Sequence, residues 1–97
     1  MQLHDVNIPE DRIAELCRRY GVRRLWLFGS ILREDFRPGS DIDVLIESDG
    51  VGLLSLGGFQ MDLSDLLGRE VHLTTLGGVP PAHRPGLLAA ARLQYAA

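Results

Sequence analysis

Lysine is absent from this 97-residue sequence, and all ten of its basic residues are arginine. Any phosphate held by a cationic side chain is therefore held by a guanidinium, which offers paired donors. The single cysteine, Cys17, excludes an intrachain disulfide and a cysteine zinc cluster. Long apolar runs are missing too, and none approaches the roughly 20 residues that span a bilayer. The N-terminal segment, with His4, Asp5, Pro9 and Glu10, has neither the basic start nor the apolar run of a signal peptide. Net positive charge is also lacking. At -3, the chain has no general electrostatic pull toward nucleic acid or an anionic membrane. These absences point to a cytoplasmic protein with no membrane attachment and no strong general nucleic-acid binding.

The apolar share of 45% and charged share of 24% are those of an ordinary globular chain rather than a disordered one. Its length suits one domain over residues 1–97, and no internal repeat or linker divides it. Residues 8–20 predict a helix: Pro9 fits its first turn, and Glu10, Asp11 and then Arg18, Arg19 match the helix dipole. Ile13, Leu16, Cys17 and Tyr20 recur at helical spacing on one face, which makes Cys17 a core residue, and Gly21 supplies a stop. Residues 22–28, VRRLWLF, predict a buried strand with Trp26 in the core, followed by a short helical turn from Ile31 to Glu34. A loop at 36–40 leads into a second strand, 42–47.

A polar connection from Ser48 to Gly52 then precedes a helix over 53–67, with Leu53, Leu56, Met61 and Leu66 available for the core despite Gly57-Gly58 inside it. EVHLTT, 70–75, alternates like a third strand, and an alanine-rich helix is predicted from Gly86 to Tyr95. The order α-β-β-α-β-α gives an α/β (α+β) fold: a small mixed sheet of about three strands with helices packed on it. His4 and His83 read as surface residues.

The informative segment is LFGSILREDFRPGSDIDVLIE, 27–47. Asp41 and Asp43 flank Ile42 at the start of a strand, so parity sends both carboxylates to one face while Ile42 and Val44 turn to the core. Like charges so close repel, and a divalent cation with a preference for hard oxygen donors, such as magnesium, removes the repulsion. Gly29-Ser30 ends the preceding strand and opens a turn. Glycine there lets a phosphate approach the backbone, free N–H groups at a helix start bind anions, and the serine hydroxyl adds a donor. Arg33 is within reach of the same phosphates, or else an exposed partner of Glu34, Asp35 or Asp49; the sequence leaves both open.

The pattern of an apolar residue, Gly-Ser, a ten-residue spacer and Asp-Ile-Asp within an apolar strand resembles the polymerase-β-like nucleotidyltransferase superfamily. The short chain is similar to the minimal, MntA-like group, and the resemblance extends through LLGREVHL and the Leu93-to-Ala96 ending. It implies a nucleotidyltransferase fold in which Gly29 and Ser30, with Arg33 and Ser40, bind a nucleoside triphosphate such as ATP. Asp41 and Asp43 would hold Mg2+. The implied reaction is transfer of a nucleoside monophosphate to a hydroxyl. The implied partner is a HEPN-type toxin, with this chain as antitoxin.

At the family's third carboxylate position, between apolar neighbours, this chain has His72, so Asp41, Asp43 and His72 form the expected catalytic set. Glu70 shares the strand face but lies about 6.7 Å further along. Imidazole is a poor magnesium ligand and suits manganese or zinc better. Two functions follow: a magnesium-dependent transferase, or a catalytically weak nucleotide-binding module that restrains its partner by contact. Asp41, Asp43 and His72 should converge, with the Ser30 hydroxyl nearby.

Overall fold

The computed structural model describes residues 2–4, 6–48 and 53–97. Strands β1 (Gln2–Leu3) and β2 (Val6–Asn7) pair as a short antiparallel ribbon. The chain then drops Ile8 into the core, fully buried, before helix α1 (Glu10–Tyr20) begins. Pro9 stands at the helix N-cap, where its missing N–H costs nothing, and its carbonyl accepts from Arg12 and Ile13. Ile13, Leu16 and Cys17 are buried, as their spacing predicts. Burial pushes the Cys17 thiol up to about 12, with Arg18 pulling weakly the other way, so it packs as a small apolar residue.

Strands β3 (Val22–Phe28) and β4 (Ile42–Ser48) pair antiparallel, and helix α2 (Leu53–Leu67) carries the chain across to β5 (Val71–Thr75), parallel to β4. A parallel neighbour demands such a crossover, which a hairpin cannot make. Of the polar connection expected at 48–52, Ser48 closes β4 and the rest lies outside the described residues. Helix α3 (Arg84–Ala90) follows, and the chain ends on β6 (Arg92–Ala96). The sheet order is β5-β4-β3-β6. No helix among the described residues is long and apolar enough to cross a membrane.

Two expectations change. The last helix does not run to Tyr95: it stops at Ala90, Ala91 turns extended, and Arg92–Ala96 pairs antiparallel with β3. Local alanine content favours helix, but β3 offers an open row of N–H and C=O groups on that side, and closing a ladder there outweighs propensity. The sheet therefore has four strands. Met61 is also not a core residue, being 69% exposed. The buried line of α2 is Phe59, Leu63 and Leu67, at four-residue spacing, with Leu56 and Leu66 at its margins; the side chain of Leu53 lies outside the description. We expect Met61→Lys to leave stability within about 0.5 kcal/mol and Leu63→Ala to cost about 2–5 kcal/mol, read by urea unfolding.

Gly58, awkward inside a helix, has a packing reason. A Cβ there would stand 3.2 Å from Tyr20 Oη. Its absence lets Tyr20 lie across α2, donate to Asp62 at 2.6 Å and meet Phe59 edge-on. That hydrogen bond, with some burial, holds the Tyr20 hydroxyl above its ordinary range.

Strand parity divides the sheet. Leu25, Leu27, Ile42, Val44, Ile46 and Val71 form one buried cluster with Ile13, Cys17, Phe59 and Leu63. Phe28, Asp43 and His72 occupy alternate positions, so their side chains leave from the opposite face. Trp26 and Leu45 share that second face outside the main cluster, 8% and 0% exposed, so Trp26 is buried rather than a stacking platform.

Candidate nucleotide site

The register brings Phe28, Asp43 and His72 onto one rung across β3, β4 and β5. His72 Nδ1–H donates to Asp43 Oδ1 at 3.3 Å. His72 is 70% exposed and Asp43 27%, so the pair sits at an open surface with the carboxylate the better shielded. Gly29, next after Phe28, takes φ 75°. A Cβ there would fall on Asp43 Oδ2 and only 3.1 Å from its Cγ. Glycine is thus required twice, by the backbone conformation and by the carboxylate that fills the space over it.

From Gly29 the chain winds into a 3₁₀ turn, Gly29–Leu32, that starts two residues before the expected Ile31–Glu34 turn. Ile31 is buried beneath it, and Arg33 N–H closes it onto the Ser30 carbonyl at 2.9 Å. Ser30 is half-exposed, at the turn's opening beside the Gly29–Asp43 contact. Arg33 lies in extended backbone, and its Nε donates to Asp35 Oδ1 at 3.0 Å with both side chains well exposed. That contact holds the Asp35 carboxyl below its ordinary value. Of the two readings of Arg33, the structure shows the surface pair. The Ser40 hydroxyl oxygen accepts from Arg37 N–H at 3.0 Å, and Ser40 N–H returns to the Arg37 carbonyl, so its oxygen is engaged in shaping the loop.

Asp41 is exposed just ahead of β4, and Glu70 stands at the matching position ahead of β5, its carbonyl accepting from Ile42 N–H at 2.9 Å. Glu70 therefore does not stand at the Asp43 rung beside His72, but two residues earlier, by Asp41. Of the expected convergence of Asp41, Asp43 and His72, the structure shows the contact of Asp43 with His72, and Gly29 lies against Asp43 beside it. Asp41 is not drawn into that contact: among the described residues no three His, Cys, Asp or Glu side chains gather as a ready metal centre. Two carboxylates still fit magnesium, which is usually held by one or two carboxylates plus substrate phosphates rather than by an all-protein cage.

Three residues that sequence reasoning missed frame the site. Phe36 is buried, only 9% exposed, in a loop whose neighbours from Arg33 to Gly39 are otherwise exposed. His4, expected as a plain surface residue, stacks on its ring at 4.9 Å, and the Arg69 guanidinium lies 4.8 Å from the ring centroid. The only signal in the sequence is a lone aromatic among charged and turn-forming residues.

A family model for the nucleotidyltransferase domain matches residues 11–92. A Methanocaldococcus jannaschii protein bearing the name of a protein adenylyltransferase is 32% identical over 85 residues, spanning 87% of this chain and 91% of its own. A solved structure described as a minimal nucleotidyltransferase superposes with a TM-score of 0.75 at 32% identity, over 84% of this chain and 85% of that one. A chain in the structure of a tri-AMPylated Shewanella oneidensis HEPN toxin in complex with MNT antitoxin has a TM-score of 0.66 at 20% identity, over 91% of this chain and 70% of that one. That last likeness is one of fold.

Proposed function

This chain belongs to the nucleotidyltransferase domain family, and from that premise we propose that it moves AMP from ATP onto a hydroxyl of a HEPN-type partner protein, as the antitoxin of a toxin–antitoxin pair. The observation that carries the reading is the Gly29–Asp43–His72 arrangement, where a carboxylate fills the hollow over a left-handed glycine at the mouth of a turn. Supporting it, the name borne by the Methanocaldococcus relative describes protein adenylylation, and the Shewanella complex pairs an AMPylated HEPN toxin with its antitoxin. The net charge of -3 suits a protein acceptor better than a nucleic acid.

In this proposal the Gly29–Leu32 turn and Ser30 receive the triphosphate through backbone N–H groups and the hydroxyl. Asp41 and Asp43 would hold Mg2+, whose role when bound is to neutralise phosphate charge. The acceptor oxygen attacks the α-phosphorus and the bond to the bridging oxygen of the β-phosphate breaks. Pyrophosphate leaves, and the hydroxyl proton passes to the Asp43–His72 pair. Arg33 and Ser40 are left with supporting roles, at the phosphates' edge and in the loop before Asp41. A second reading is favoured by His72 itself: lacking the third carboxylate, the chain binds nucleotide but restrains its partner chiefly by contact.

The deciding experiment is intact-mass analysis of the co-purified partner after addition of ATP and magnesium. The partner is expected to gain AMP mass; a partner that stays unmodified yet bound and inhibited supports the second reading. A companion prediction concerns Asp41→Ala/Asp43→Ala. We expect calorimetry to show at least a tenfold loss of magnesium-dependent ATP affinity, with no loss of stability in the absence of metal because mutual carboxylate repulsion is relieved. Equal affinity in both proteins would overturn the site.

A further inference from the structure

We propose that Phe36 is a positioning residue, a joint through which His4 and Arg69 set the spacing of the turn at Ser30, the carboxylate of Asp41 and the ring of His72. The inference rests on the nucleotide site proposed above and adds residues outside it.

Three separate chain segments bear the site, and each is linked to the Phe36 ring: one through His4, one by carrying it and one through Arg69. The first is the 3₁₀ turn. His4 stacks on Phe36 with planes 27° apart, and its Nε2–H donates to the Ile31 carbonyl at 3.1 Å, one residue after Ser30. The second is the loop that carries Phe36 itself and ends at Asp41. The third is the connection from α2 into β5. Its Arg69 lies over the same ring and donates through Nη1 to the carbonyls of Arg37, at 3.2 Å, and Ser40, at 3.1 Å. From Arg69 the chain passes directly through Glu70, whose carbonyl holds Ile42 N–H, to Val71 and His72.

The arrangement is specific in two respects. An apolar side chain at 36 would keep the burial but lose the quadrupole that attracts a guanidinium and the flat face that an imidazole stacks on. A lysine at 69 would keep the charge but lose the planar guanidinium that lies over the Phe36 ring. Neither His4 nor Arg69 is among the residues proposed to touch nucleotide. They act by fixing the backbone on either side of those that do, where displacements of about 1 Å cost on the order of a hundredfold in a reacting site.

The test uses the full chain with two readouts. In the ligand-free protein, Phe36→Leu is expected to shift the backbone amide resonances of Ser30, Asp41 and His72 together, whereas Phe36→Tyr leaves them near their original positions. By calorimetry with ATP and magnesium, Phe36→Leu and Arg69→Gln are expected to weaken binding about tenfold with one site per chain retained, and Phe36→Tyr to restore affinity. A purely structural role would instead lower the number of competent sites and leave the dissociation constant alone; that result overturns the proposal. So do shifts confined to the neighbours of residue 36. If the wild-type chain binds no ATP while the three amides still move together, the joint stands and the nucleotide reading falls.

Discussion

Gly29→Ala is expected to reduce AMP transfer by a hundredfold or more while the protein remains folded. Two independent costs meet at this residue. The first is conformational: φ of 75° lies in the left-handed region, where a Cβ costs roughly 1–2 kcal/mol. A domain of this size survives such a loss, though its unfolding midpoint should fall by several degrees. The second is local and falls on function. The added methyl would land on Asp43 Oδ2, and because it stands only 3.1 Å from Cγ, a small rotation of the carboxylate does not clear it. Either Asp43 swings away, breaking the 3.3 Å contact with His72, or the turn backs off and takes Ser30 with it. Both outcomes separate the carboxylate from the turn proposed to bind phosphate, and misplacement of that order is what costs a hundredfold. Labelled-AMP transfer onto the partner reads the rate, and urea unfolding reads the fold. Transfer reduced only in proportion to the unfolded fraction would show that the contact with Asp43 does not matter.

That contact illustrates which parts of the site could be read from sequence. Strand parity is local, so the sequence alone assigns Asp41 and Asp43 to one face, opposite Ile42 and Val44, and in β4 Ile42 and Val44 are buried on either side of a partly exposed Asp43. Gly29 could be singled out as glycine at a strand end, but its second reason, the carboxylate above it, depends on the antiparallel register between Phe28 and Asp43. The family resemblance implies that His72 joins the two aspartates, but its place directly beside Asp43 depends on the parallel ladder between β4 and β5.

What escaped was non-local or governed by competition. Arg92–Ala96 follows an alanine-rich helix and looks like more of it; only the free edge of β3 turns it into a strand. Met61 escapes because apolar residues stand on more than one side of α2, and the stripe that faces inward, Phe59, Leu63 and Leu67, is fixed by packing in the shared core rather than by spacing alone. Phe36 has no periodicity to reveal it, since its partners, His4 and Arg69, stand some thirty residues away on either side in sequence.

His72→Asp is expected to raise magnesium-dependent AMP transfer by about a hundredfold. In the wild type, the rung offers one carboxylate and one imidazole, with Nδ1–H bonded to Asp43. That bond satisfies one oxygen of Asp43 without adding any negative charge, and a hard cation gains little from the ring. Aspartate at 72 would bring a second oxygen donor to the same rung. Restoring an anionic donor in a phosphoryl-transfer site is worth a few kcal/mol, which corresponds to a factor on the order of a hundred.

The substitution carries a signature independent of rate. Because His72 is 70% exposed, losing the ring costs little packing, but a carboxylate beside Asp43 adds repulsion across neighbouring strands. Without metal, the variant should therefore melt slightly below the wild type. With magnesium, binding to the folded state alone should raise its melting temperature by more than the wild type's. His72→Ala separates the alternatives: it relieves no repulsion and supplies no donor, so it should transfer no better than the wild type and show no added response to magnesium. If His72→Ala abolishes a robust wild-type activity and His72→Asp fails to improve on it, the histidine takes the acceptor's proton itself, and this lineage has replaced a metal-binding carboxylate with a base. If all three proteins are inactive while the partner stays bound and inhibited, contact is the mechanism, and the Asp43–His72 pair is what remains of a former catalytic rung.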